Sequence, residues 1–181
     1  AIASGKGCVG KTTVTTNLAF TVADMGNKVG VLDADIYGPS QPRMFGTAGY
    51  MPDAEVREDG HEWIIPAQNY GIKVMSIWFF IQPDDALVWR GPMATSALRQ
   101  LIHQTDWGTL DFLLVDLPPG TGAVHLTILQ EMKIDGAVIV STPQKIALTE
   151  VVRGISMFHS AKIKLPVLGI IEKMAWFLPA A

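Results

Sequence analysis

Hydrophobic positions along this chain gather into short, continuous runs rich in β-branched residues, each closing on a turn or an acidic residue: IAS, KVGVLD, GIKVMSI, DFLLVD, GAVIVST and LPVLGII. A strand with one wet face alternates apolar and polar residues, so runs without alternation predict strands covered on both faces. Between them lie stretches with helical spacing. The first extends from Thr12 towards Met25, with Val14, Leu18, Val22 and Met25 on one stripe and Gly26 as its stop. MATSALRQLIHQ and KIALTEVVRGISMF repeat that spacing. Strands alternating with helices predict an α/β fold: a mostly parallel, twisted sheet with helices on both faces, binding its ligand at the carboxyl ends of the strands. Residues 46–70, rich in Gly, Pro and acidic residues, break the rhythm and are expected to form an irregular excursion with a short hairpin.

The chain has 181 residues, 49% of them hydrophobic and 17% charged, enough for one well-buried domain and too few for two of full size. It starts inside a strand and stops after FLPAA, so the single domain over 1–181 is expected to be incomplete at both ends. A net charge of −3 without any run of Lys or Arg gives no electrostatic footprint for nucleic acid or anionic lipid. The longest apolar runs, such as WIIPA and LPVLGII, fall short of the roughly 20 residues of a membrane-spanning helix. Neither nucleic acid nor membrane is therefore an expected partner. A single cysteine cannot form an internal disulfide and no signal peptide precedes the first strand, which predicts a reducing compartment, the cytoplasm by default or an organelle matrix if a targeting segment is missing.

The chemistry concentrates in SGKGCVGKTT, residues 4–13. Gly5, Gly10, Lys11 and Thr12 satisfy G-x-x-x-x-G-K-[ST], in which backbone amides turn onto an anion at a helix N-terminus. Gly5, Lys6, Gly7, Cys8, Val9, Gly10, Lys11, Thr12 and Thr13 are the expected nucleotide-binding residues. Lys11 is expected to reach the β- and γ-phosphates and the Thr12 hydroxyl to bind Mg²⁺. The same glycines also spell the dinucleotide pattern G-x-G-x-x-G, with Asp33 at the end of the next strand where a ribose-binding acid belongs. Lys11 and Thr12 directly after the last glycine decide against it, because close helix-to-strand packing there has no room for a lysine unless it faces a phosphate. The run FLLVD ends in Asp116, and an acid at a strand end near the loop is what a Mg²⁺-nucleotide site requires. Asp33 and Asp35, at the carboxyl edge of the strand after the loop, join it as candidate functional acids, with Thr12, Asp33 and Asp116 the candidate metal set.

Other residues have plainer readings. Cys8 reads as a small residue at a loop position that does not need positive φ, rather than as a redox thiol. His61, His103, His125 and His159 show no metal-ligand spacing and read as structural or surface residues. The aromatic and methionine side chains near Trp78 and Met157 read as core or interface, and Lys173 as a surface lysine. No Ser/His/Asp arrangement is needed, since phosphoryl transfer depends on positioning and charge neutralisation.

SGKGCVGKTT resembles the deviant phosphate loop of the MinD/ParA-like ATPases, which carry an extra lysine at the position of Lys6. DADIYGPSQPRMFG, LVWRGPM, DWGTLDFLLVDLPPGTG, STPQKIAL and the LPVLGIIE strand look like the Mrp/ApbC branch of iron–sulfur cluster carriers, over nearly the whole chain. The resemblance implies a slow, Mg²⁺-dependent, homodimeric ATPase. In it Lys6 crosses to the partner's nucleotide, Lys11 binds the phosphates, Asp35 positions the attacking water and Asp116 supports Mg²⁺. It further implies a 4Fe–4S cluster handed between cluster donors and apo-protein clients. The chain departs from the pattern at Cys8, where glycine is usual, at Ala123, where aspartate is usual, and at Lys173, where an adenine-contacting asparagine is usual. The cluster-binding C-x-x-C pair is not among these residues, so cluster chemistry rests on resemblance, and the only cysteine is expected to hold no stable cluster. A positioning switch of the MinD/ParA kind, a reductase resembling the nitrogenase iron protein, and a nucleotide-dependent scaffold without a cluster are the alternatives.

Overall fold

The computed structural model describes residues 1–36, 38–58, 60–80, 92–161 and 163–176. The LVWRG part of one motif quoted above and the FLPAA end fall outside them. Six parallel-running strands match the six apolar runs: β1 (Ile2–Ser4), β2 (Val29–Asp33), β6 (Ile72–Ser76), β7 (Phe112–Pro119), β8 (Ala137–Ser141) and β9 (Val167–Glu172). With β5 (Ala67–Asn69) they form a seven-stranded sheet in the order β5-β6-β2-β7-β1-β8-β9. Only β5 runs antiparallel, which makes the sheet mostly parallel. Its pairing with β6 is set by a two-residue turn in which both Tyr70 (φ 51°) and Gly71 (φ 73°) are left-handed, the geometry that matches strand twist in a hairpin. The excursion contains the expected hairpin, β3 (Ala54–Val56) paired with β4 (Glu62–Ile64) as a separate antiparallel pair.

Helices cover both faces. On one side α1 (Lys11–Asp24) and α2 (Gln41–Met44) lie with Val14, Ala19, Phe45, Val31 and Val74; on the other, α3 (Pro92–Gln104), α4 (Ala123–Glu131) and α5 (Lys145–Phe158) bring Leu98, Leu101, Ile128, Val151 and Phe158 onto Leu32, Val115 and Ile139. Both α2 and α4 go beyond the helices read from spacing. The α1 stripe is corrected at its end: Met25 is 75% exposed and caps the helix, and Gly26 (φ 89°) supplies the left-handed stop. Met157 packs against the core, as read, and Trp78 is half-buried with its indole N–H donating to the Ala48 carbonyl. No helix among the described residues is long and apolar enough to cross a membrane.

Candidate functional site

Two topological facts bring the site together. Strand β1 lies between β7 and β8, so the loop leaving its carboxyl end opens over the middle of the sheet. Strands β2 and β7 pair in parallel with Asp33 opposite Asp116, which places both acids at one sheet edge beside the loop. The N-terminus of α1 closes that edge with Gly10 (φ 87°) as its first flanking residue, a conformation that favours glycine. Gly5 is required for a different reason: a Cβ there would meet Glu150 Cβ at 2.3 Å and the Glu150 carbonyl carbon at 2.6 Å, so α5 rides directly on the loop.

Lys11, with 6% of its side chain exposed, donates to Asp116 Oδ1 at 2.5 Å and lies 3.9 Å from Asp35 Oδ2. Asp116 is fully buried, and its charge is shared further by Thr15 Oγ1 at 3.3 Å and by Gln41 Nε2, which donates to Oδ2 at 2.8 Å. Gln41 is fully buried too: it also donates to the Thr12 carbonyl at 3.3 Å and accepts from Thr16 Oγ1 at 2.9 Å, bridging the helix start to the acid. Asp33 is turned away from this group. Its Oδ2 accepts from the N–H groups of Ser40 and Gln41 and from Ser76 Oγ, and its Oδ1 from the N–H of Asp35. Burial pushes its pKa up to about 7, the Asp116 charge adding to this while the Gln41 and Asp35 N–H groups and Lys11 oppose it. With both oxygens engaged, Asp33 fits the shaping of the Asp35–Gln41 turn better than direct metal ligation.

A cavity of about 400 Å³ lies above these groups, lined by Gly7, Cys8, Gly10, Lys11 and Thr12 and faced by Asp35. The Thr12 hydroxyl is hydrogen-bonded to Ser40 Oγ at 2.9 Å. The remaining loop residues sit elsewhere: Val9 is buried in the core, while Lys6 and Thr13 are exposed. No cluster of three or more His, Cys, Asp or Glu side chains with metal-binding geometry occurs among the described residues. The oxygen donors that fit Mg²⁺ are a hydroxyl and carboxylates at a helix start, a set that takes Mg²⁺ only together with phosphate and water.

Cys8 corrects its sequence reading. Its φ is 60°, so the position does need left-handed backbone, and a Cβ there is strained. Cys8→Gly is expected to raise stability by about 1 kcal/mol, seen as a melting temperature higher by about 2–4 °C without nucleotide; an unchanged or lower value would argue that the strain is absent.

His125, on α4, is 1% exposed, and neither ring nitrogen has a hydrogen-bond partner of ordinary geometry among the described residues. Burial pushes its pKa down to about 4; the Pro118 carbonyl opposes this, and the Lys11 charge adds to it. The folded protein therefore holds the imidazole neutral. Because the pKa is lower folded than unfolded, the unfolded chain binds the extra proton between pH 6.5 and 4, and stability is lost as pH falls through that window. The contribution of this one group is about 3 kcal/mol. His125→Gln should flatten urea-derived stability between pH 7 and 5 relative to the unmodified protein, and parallel pH profiles would rule out this assignment. Ser40, Gln41 and Thr15 join His125 as site residues that the sequence reading did not assign. The one advance signal, for Ser40 and Gln41 alone, is that they form a polar pair between two prolines shortly after Asp35.

A glycine-bearing loop between a central strand and a helix, a lysine in its floor and acids on the two neighbouring strand ends define a phosphate-loop nucleoside triphosphatase fold. The chain belongs to the ParA family of NUBPL iron-transfer P-loop NTPases, whose model matches residues 1–181. An iron-sulfur cluster carrier protein of Aquifex aeolicus is 49% identical over 98% of this chain and 48% of its own length. The iron-sulfur cluster transfer protein NUBPL of Dictyostelium discoideum is 48% identical over 98% of this chain and 53% of its own. The chain thus spans about half the length of the curated relatives it matches. Among solved structures, a nucleotide-binding protein of Archaeoglobus fulgidus in complex with ADP is 43% identical with a TM-score of 0.78, covering 97% of this chain and 67% of that one. The septum site-determining protein MinD of Pyrococcus horikoshii, complexed with Mg-ADP, is 26% identical with a TM-score of 0.64, over 94% and 68%.

Proposed function

We propose that this domain binds Mg²⁺-ATP in the cavity above Lys11 and hydrolyses it slowly as one half of a homodimer, the nucleotide state controlling transfer of an iron–sulfur cluster from donors to apo-proteins. The observation that carries the reading is Lys11, held by Asp116 and Asp35 at the head of α1, under a cavity walled by the loop. Asp116 and Asp35 hold its ammonium at the floor of the cavity, where an entering phosphate would compete for it. Thr12 and Asp116 are the residues suited to Mg²⁺, with Asp33 bracing the turn behind them, and the ion supplies charge neutralisation on the phosphates. Asp35 lines the cavity, which fits a role in orienting the attacking water. Lys6, exposed and outside the cavity lining, fits the reading in which it acts across the dimer on the partner's nucleotide. The cluster is cargo: these residues offer only Cys8 as a thiol, and transfer is inferred from the family and its named carriers. No nucleic acid or membrane partner enters the reading, and the compartment proposed is the cytoplasm or an organelle matrix.

Asp35→Ala tests the assignment. Calorimetry should show ATP affinity within about twofold of the unmodified protein, while phosphate release slows on the order of 100-fold. Weakened binding with unchanged turnover would mean that Asp35 holds nucleotide rather than water.

A further inference from the structure

Gln41 is fully buried beside two carboxylates, a place that suits an amide only if its donor and acceptor atoms are engaged. Its Nε2 donates to Asp116 Oδ2 at 2.8 Å and to the Thr12 carbonyl at 3.3 Å, while its Oε1 faces the Thr16 hydroxyl at 2.9 Å. Turned over, the amide would set its oxygen against Asp116 Oδ2 and the Thr12 carbonyl, both acceptors, so one orientation alone fits. The backbone of the same residue is held as firmly. Its N–H donates to Asp33 Oδ2 at 3.1 Å, and Asp33 stands opposite Asp116 in the β2–β7 pair. Gln41 thus spans both strand-end acids, its backbone on one and its side chain on the other.

The two oxygens of Asp116 are thereby divided. Oδ1 takes Lys11 at 2.5 Å and Oδ2 takes Gln41. The single hydrogen of Thr15 Oγ1 is split between the Lys11 carbonyl at 3.1 Å and Asp116 Oδ1 at 3.3 Å, which leaves Gln41 the closer neutral donor. A phosphate that draws the Lys11 ammonium towards itself leaves a buried carboxylate with less compensation. The bond from Gln41, charge-assisted and already aligned, counts for most at that point.

We propose that Gln41 is a positioning residue of the nucleotide site: it stabilises the Asp116 carboxylate and keeps it in one orientation while Lys11 passes from that carboxylate to the phosphates. The inference rests on the nucleotide reading and deepens it. Gln41 is absent from the lining of the cavity, so it acts through Asp116 and not on the nucleotide itself. Because its bond is worth more after Lys11 has moved than before, losing it weakens nucleotide binding and does not merely lower stability.

Calorimetric titration of Mg-ATP into the unmodified protein, Gln41→Met, Asp116→Asn and the double variant tests this. Methionine keeps the length of the side chain and removes the donor. Gln41→Met is expected to bind about tenfold more weakly. In the Asp116→Asn background the same substitution should cost about twofold at most, because residue 116 then carries no charge to compensate when Lys11 leaves. A purely structural role would lower the melting temperature of Gln41→Met and leave the affinity of the folded protein unchanged, and that result overturns the proposal. An equal loss in both backgrounds overturns it too, since Gln41 would then act by packing and not through Asp116. Should Gln41→Met not fold, Gln41→Asn, which draws the amide back from Oδ2 by the length of a methylene, is read in the same way. Failure of the unmodified protein to bind Mg-ATP overturns the nucleotide reading itself, a result distinct from the others.

Discussion

Lys11→Ala should lose tight ATP binding and at the same time melt about 10 °C lower with no nucleotide present. Both effects come from one contact. With its ammonium gone, the phosphates lose a charge-assisted bond in a site poor in water. Without nucleotide, fully buried Asp116 loses the cation it holds at 2.5 Å while Asp33, equally buried, stands across the β2–β7 pair. Removing one partner of a buried ion pair costs about 3–5 kcal/mol, because the remaining charge is left uncompensated. In a domain of this size that corresponds to about 6–20 °C in melting temperature. Adding Asp116→Asn separates the two effects: the double variant should regain most of the lost stability and none of the binding. ATP affinity unchanged in Lys11→Ala would remove the basis for the phosphate-loop assignment.

Mixing Lys6→Ala with Lys11→Ala, each inactive alone, should restore hydrolysis. Each site of a two-fold dimer is proposed to combine Lys11 of one subunit with Lys6 of the other, so a mixed dimer holds one intact site and one lacking both lysines. Random exchange makes half of the dimers mixed, and roughly a quarter of wild-type sites reappear. A cation supplied in trans to a transferring phosphoryl group contributes about 10³ to 10⁵ in rate, so even partial recovery stands far above the background of either variant. The structure sharpens the expectation, because Lys6 is exposed and absent from the lining of its own cavity. Mixing is best done in the cold, given the lowered stability of Lys11→Ala, with heterodimers verified by native mass spectrometry. If heterodimers form and no activity returns, Lys6 acts within its own subunit or has no catalytic part.

The parallel sheet was legible because strands buried on both faces leave uninterrupted apolar runs, and the loop because its glycines, lysine and threonine keep a fixed spacing. The fourth helix was not, since AVHLTIL is apolar nearly all round and follows Gly-Thr-Gly, so neither period nor cap marks it. Strand β5 is only AQN; its pairing is imposed by the Tyr70–Gly71 turn rather than by its own pattern. At the site, the strand-end acids were legible from position, but their different tasks were not. Asp33 and Asp116 read alike in sequence, and only the turn around Ser40 and Gln41 reveals that one braces backbone while the other grips Lys11. Cys8 was misread because a backbone torsion leaves no trace in local spacing.

The missing Cβ of Gly5 has a mechanical consequence. Where a side chain would stand, the backbone of α5 is seated at Glu150, leaving no slack between loop and helix. Parts in such contact cannot move independently, so any shift of the loop would have to be followed by α5, as a cam is by its follower. The outer surface of that follower carries Ile146, Leu148 and Val152, all exposed. A displacement of the loop would thereby be carried through α5 to exposed apolar side chains, of which Leu148 and Val152 lie on the side turned away from Glu150.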